Sequence, residues 1–359
     1  MGKYTNHEYY TIPMKLSLNV LRNGRSLFVA GGCFLASVSG VLADAVYTVR
    51  QTFTVPNTEK GQVRGWFWMP EDRPEQKVLD FRIVEAPDSA RITRDSKYGR
   101  SWIYAEAAAN SAKPLQVVTE FKVLRRSVSG LADPAKARPL SDADRRTFAA
   151  ELRRDEKHME VTPDIQKIAD DLAGNEKNPV LVAKKFYAFV IEKSEHYSKT
   201  GGKVKGLALG SAKECLAGNG DTCTDQHALF IALCRARGIP CRLFYGSRLK
   251  PENAGKDHDP GYRCWPNFFA PGIGWVPVDV SSGDTAAAGK ADDWFGGLDE
   301  NRLEWAEGRD FDLDPKSAQR PDLVIRGWVE IDGKPYPGFQ RTVNFTAEPV
   351  PKRTVALTR

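Results

Sequence analysis

The chain has 359 residues, 41% hydrophobic and 27% charged, the make-up of a globular protein long enough for two or three domains with cores of their own. Its formal charge of +6 falls to +4 beyond residue 45, because the first 45 residues hold Lys3, Lys15, Arg22 and Arg25 against Glu8 and Asp44. A charge so mild and so evenly mixed with acids argues against a nucleic-acid partner.

Residues 1–45 read as an export signal. Arg22 and Arg25 precede SLFVAGGCFLASVSGVLADA, an apolar run thinned by Gly and Ser and closed by small residues, with cleavage expected after Ala43 or Ala45. The polar and aromatic MGKYTNHEYYTIP before Met14 fits no part of such a signal, which makes Met14 the expected start. Export places the protein in the periplasm or cell envelope, and a membrane would be met only through an uncleaved signal. The run is short for a spanning helix. Five cysteines survive cleavage: Cys215, Cys223, Cys234, Cys241 and Cys264. An odd count leaves at least one thiol free or paired between molecules. Their spacing suits no zinc site, so neither a metal nor a cofactor is expected.

Residues 46–128 alternate apolar and polar positions through VYTVRQTFTV, GQVRGWFWMP, VLDFRIVEA, SWIYAEAA and QVVTEFKVLRR, as in a small β-sandwich. Trp66 and Trp68, two apart, share a face and read as core. Residues 129–160 are charged and punctuated by proline, a linker with a short solvated helix. The region 161–299 opens with two helices. TPDIQKIADDLAG has Thr162 as cap, Pro163 at the first helical position and Gly174 at the close, and NPVLVAKKFYAFVIEKSEH follows with helical spacing. The glycine-rich TGGKVKGLALGSAKECLAGNGD reads as a loop and holds no phosphate-binding pattern. Residues 300–359 read as a β-rich extension with a turn at Asp332 and Gly333.

The best-defined element begins at GDTCTDQHALFIALCRARGIP. Thr222 and Asp225 form an approximate capping box, ALFIALC is apolar throughout, and Gly238 with Pro240 ends the helix. A helix apolar nearly all round is a buried one. Cys223 falls in its first turn, where free backbone N–H groups and the helix dipole favour a thiolate and can hold an oxyanion. The alternative is a small packed residue or half of a disulfide. His227, one turn on, faces the same way but is badly placed to protonate a leaving group, so a structural hydrogen bond is expected of it. Cys234 reads as packing.

Downstream, GYRCWPNFFAPGIGWVPVDVSSGD reads as two strands around PGIG. A five-residue loop pairs Phe269 with Trp275 and Trp265 with Asp279, makes Arg263 the diagonal neighbour of Asp279, and turns Cys264 away from Cys223.

Together GDTCTDQHALFIALCRARGIPCR and GYRCWPNFFAPGIGWVPVD resemble the transglutaminase-like superfamily, whose members carry G-x-C-x-D at a helix start, an H-x-W strand and a G-W-x-x-x-D strand. The segments GLDENRLEWAEGRDFDL and VEIDGKPY, with the N-terminal strands, are similar to one bacterial branch of it. The resemblance implies an α+β, papain-like core, a cysteine-bearing helix on an antiparallel sheet, preceded by the β-sandwich domain. It implies a Cys–His–Asp triad for acyl transfer or amide hydrolysis. By position Cys223 matches the nucleophile, Asp279 the orienting acid and Trp265 the aromatic after the histidine, with Asp225 in support. Arg263 stands where the histidine belongs, and Asn267 replaces the acid usual after the tryptophan.

A triad histidine takes a proton from the thiol and returns one to the departing amine; arginine stays charged and does neither. Two readings follow. In the first the triad is degenerate, weak or inactive, and the protein serves as a binding or structural module for a protein or peptide partner. In the second it is an active thiol enzyme, protease or acyl transferase, with a non-standard base such as His258 in KDHDPGY.

Overall fold

The computed structural model describes residues 45–350 apart from 57–60, 109–110, 112, 129–131 and 207. The segment expected to be an export signal lies, up to residue 44, outside the described residues. None of the described helices is long and apolar enough to cross a membrane.

The alternating N-terminal segments form β1 (Ala45–Val55), β2 (Val63–Trp68), β3 (Gln76–Glu85), β4 (Arg91–Arg94), β5 (Ser101–Ala107) and β6 (Leu115–Arg125). A short helix α1 (Asp142–Thr147) follows, its Ser141 and Asp144 making a reciprocal capping box. Next come α2 (Pro163–Ala173), α3 (Pro179–Lys193), α4 (Ala212–Ala217), α5 (Cys223–Ala236), β7 (Cys241–Arg248), β8 (Arg263–Ala270), β9 (Gly274–Pro277), α6 (Val280–Asp284) and β10 (Arg302–Glu307). The chain ends in β11 (Gly327–Ile331), β12 (Lys334–Pro335) and β13 (Gln340–Pro349).

The strands make three antiparallel sheets, ordered β13-β1-β6-β3, β12-β11-β2-β5-β4 and β10-β7-β8-β9. The first two join the N-terminal strands to strands from the end of the chain and touch through Phe53 and Phe67, whose rings stack at 4.7 Å. On the other face of β2, Trp66 lies directly across from Tyr104 and Trp68 from Trp102; the second pair stacks at 4.1 Å and all four rings are buried. Cross-strand aromatic pairs of this kind are what stabilise a sheet. The last strands of the chain do not stand alone: β13 pairs with β1, β11 with β2, and β10 joins the core sheet beside β7.

The core is helix on sheet. All fourteen positions of α5 are buried, as its apolar sequence requires, and Phe230 reaches Phe268 of β8 with ring centroids 6.5 Å apart. Thr162 caps α2 through Ile165 N–H, with Pro163 first in the helix. Two short helices depart from the sequence reading. The glycine-rich loop contains α4 because the Ser211 hydroxyl accepts Glu214 N–H and Gly218, at φ +80°, ends the turn in the left-handed region that glycine enters freely. The strand expected through VPVDVSS stops at Pro277, because Asp279 caps α6 by accepting Ser282 N–H at 2.8 Å.

Gly246 sets how closely the core sheet packs. A Cβ there would fall 2.3 Å from the backbone oxygen of Leu303 in β10 and 2.5 Å from the Trp265 ring. Gly246→Ala is expected to lower unfolding stability by about 1–3 kcal/mol, the usual cost of overpacking; an unchanged urea midpoint would contradict this packing.

Candidate active site

The site grows from the first turn of α5. Thr222 and Asp225 make the capping box in full, each side chain bonding the other's backbone N–H. Asp225 also accepts Ser211 N–H at 2.8 Å, so its carboxylate fixes the start of α4 as well as the start of α5. Cys223 thereby sits at the helix tip, buried but for 7% of its surface.

Opposite it stands Cys264, contrary to the expectation that this side chain turns away. In β8 the face toward α5 carries Cys264 and Phe268, while Trp265 points the other way to pack with Phe244 and Leu298. The Cys264 thiol donates to Cys223 Sγ at 3.5 Å and lies 3.5 Å from the Thr224 hydroxyl. Behind it, His227 Nδ1 is 3.1 Å from Cys264 Sγ, and His227 Nε2 is 3.4 Å from Asp279 Oδ1. A continuous polar chain therefore runs Cys223, Cys264, His227, Asp279, with every member buried.

Arg263 stands at the edge of this chain. Its guanidinium donates to the Tyr262 carbonyl at 2.9 Å, and the cation on Asp279 is Arg302 of β10, at 2.7 Å. The expected diagonal pair between Arg263 and Asp279 is thus replaced: β8 and β9 part after Asn267 and Pro277, Asp279 turns into the α6 cap, and Arg302 reaches it from the far side. Arg302 also donates to Ser282 Oγ at 2.9 Å, and its guanidinium lies 5.6 Å from the Trp265 ring. Asn267 is half-buried, paired in register with Pro277 on one side and Arg242 on the other. His258, the candidate non-standard base, is held by its backbone. Its backbone pairs with Val343 of β13 in both directions and its Nδ1 lies 3.1 Å from the Lys256 carbonyl.

Sequence reasoning passed over His196, which follows α3 and is one of the groups that lower the Cys223 thiol. Asp284 of α6 accepts its backbone N–H at 2.7 Å, and Ser198 Oγ lies 2.8 Å from its Nδ1. No local pattern marks it, because Asp284 and Gln226 assemble its setting from distant parts of the chain.

These contacts separate the two thiols. The hydrogen bond from Cys264 holds the Cys223 thiol well below the usual cysteine range against the opposing effect of burial, and His196, His227 and Arg263 add to the lowering. Burial, and then the bond to Cys223, push the Cys264 thiol well above it. For Asp279, burial alone would raise the carboxyl, yet Arg302 and then His227 hold it well below the ordinary carboxylate range.

Residues 166–280 match the model of the transglutaminase-like superfamily. An uncharacterized protein of Haemophilus influenzae is 26% identical over 332 residues, 82% of this chain and 88% of its own length. Among solved structures, a candidate cysteine protease from Cytophaga hutchinsonii shares the fold, with a TM-score of 0.57 at 15% identity over 86% of this chain and 91% of that one. The periplasmic domain of TgpA from Pseudomonas aeruginosa overlaps at a TM-score of 0.32 with 18% identity, over 67% and 88% of the two chains, too loosely to carry a comparison.

The Arg302–Asp279 pair is fully buried on both sides, and removing one partner of such a pair costs about 3–5 kcal/mol. Arg302→Met should lose stability on that scale at neutral pH. Because the folded Asp279 pKa is depressed, the pair's contribution is present above the unfolded value of about 3.9 and is lost as pH falls through the folded one. The gap between wild type and Arg302→Met should therefore narrow in acid; a gap that stays constant with pH would contradict the pairing.

Proposed function

We propose that this is an exported transglutaminase-like protein whose Cys223 is a standing thiolate with little or no amide turnover, acting on or holding a protein or peptide partner in the periplasm or cell envelope. The observation that carries this reading is Cys264 lying between the Cys223 sulfur and the His227 ring. A thiol occupies the place from which an imidazole would serve the nucleophile.

The chemistry follows from proton bookkeeping. Cys223 has no need of a base, since its neighbours already favour the charged form. An acyl carbon attacked by it can direct its oxyanion toward the open N–H groups of the α5 first turn. The difficulty is the departing amine, which needs a proton. Cys264 is a thiol made less acidic still by burial, His227 lies behind it with no exposed surface, and Arg263 does not give up its proton. Losing general acid help costs about 10²–10⁴-fold in rate.

A second reading, an active cysteine protease or acyl transferase, is favoured by His196, which helps lower the Cys223 thiol and keeps 8% of its surface exposed. That makes His196 a better non-standard base than His258, whose backbone is tied to β13.

Alkylation of Cys223 by iodoacetamide should stay fast well below the free-thiol pKa of about 8.5, while peptide amides show no turnover that Cys223→Ala removes. Turnover lost in both Cys223→Ala and His196→Ala would establish the second reading instead. Export has a separate readout. The mature protein should begin at Asp44 or Val46, and an N-terminus retaining Met14 would refute it.

A further inference from the structure

A second chemistry is built into the same seam. We propose that Cys223 and Cys264 form a two-thiol exchange site that reduces a low-molecular-weight disulfide and closes as a disulfide between α5 and β8. The sulfurs are 3.5 Å apart, and a disulfide needs about 2.05 Å, a gap that small movements of two side chains can close.

The two cysteines are arranged for an ordered reaction. Cys223 keeps 7% of its surface exposed and Cys264 none, so an incoming disulfide meets Cys223 first and Cys264 stands behind it. In the first step the Cys223 thiolate bonds to one sulfur of the ligand, the ligand S–S bond breaks, and the departing thiolate takes a proton from water. In the second, the Cys264 proton passes to His227 Nδ1, 3.1 Å away, where Asp279 faces the opposite ring nitrogen. The Cys264 sulfur then attacks Cys223 Sγ, the mixed disulfide breaks, and the second thiolate leaves and is protonated. Two protein thiols are oxidised by two electrons and one disulfide is reduced to two thiols.

The feature that weakens amide chemistry does not weaken this one. A thiolate leaves without the acid that an amine requires, and exchange is governed by the thiolate fraction of the attacker and access to the sulfur. The lowered Cys223 and raised Cys264 thiols match an attacking and a resolving partner. The competing pair, Cys234 and Cys241, interacts as well but is fully buried on both sides, with no surface for a disulfide to reach.

The test uses the full chain, reduced, freed of reductant and mixed without oxygen with glutathione disulfide. Two glutathione thiols should be released per chain, and peptide mapping should show Cys223 joined to Cys264. Cys264→Ser should release one and stop with glutathione on Cys223. Wild type that also stops at the mixed disulfide, a linkage mapped to Cys234–Cys241, or no release at all would each overturn the proposal. The wild-type mapping decides the matter even if Cys264→Ser does not fold. The exchange site rests on the Cys223 thiolate of the functional reading above, but iodoacetamide alkylation tests that thiolate by itself, so fast alkylation without glutathione release would overturn the exchange site alone.

Discussion

A helix buried on every side cannot leave a polar side chain unanswered, and the first turns of α5 carry five in succession from Cys223 to His227. Between them they hold the surrounding elements in place. Cys223 faces β8, Thr224 meets the Tyr262 hydroxyl at 3.2 Å, and Asp225 holds the start of α4. Gln226 bonds Ser194 after α3 and Asp284 of α6, and His227 spans from β8 to the α6 cap. The geometry of the site is therefore a by-product of satisfying one buried helix.

The far end of the polar chain shows the same economy. Asp279 accepts from two serine hydroxyls and one backbone N–H of α6 while paired with Arg302 and facing His227, so its charge is answered on every side in a dry interior. Such an acid orients a ring and keeps its charge; it does not trade protons. With Arg302 present from β10, the Arg263 charge is free to act on the Cys223 thiol instead. The two arginines divide what a single strand residue was expected to do.

Much of this was legible in the sequence, and the limits have physical causes. The capping box at Thr222, the buried course of α5 and the pairing of Phe269 with Trp275 all follow from short-range rules that the fold obeys. The side of β8 facing the helix was misread, because the diagonal argument treated Asp279 as a strand residue when it is a helix cap, and period-two alternation then put Cys264 on the wrong face. Arg302 and His196 had no local signature. One sits in a charged strand whose burial shows only when β10 docks on β7, the other in a segment whose anchor is 88 residues away. Contacts made across such separations belong to the tertiary structure alone.

The central claim is that the Cys264 thiol, donating to Cys223, is the main support of a thiolate at the helix tip. The ultraviolet absorbance of the thiolate, followed against pH in wild type and in Cys264→Ala, tests it most directly. The account predicts that the wild type keeps a thiolate signal, absent from Cys223→Ala, well below the ordinary thiol range, and that the titration moves upward when Cys264 is removed. A Cys223 that titrates identically with and without Cys264 would contradict it.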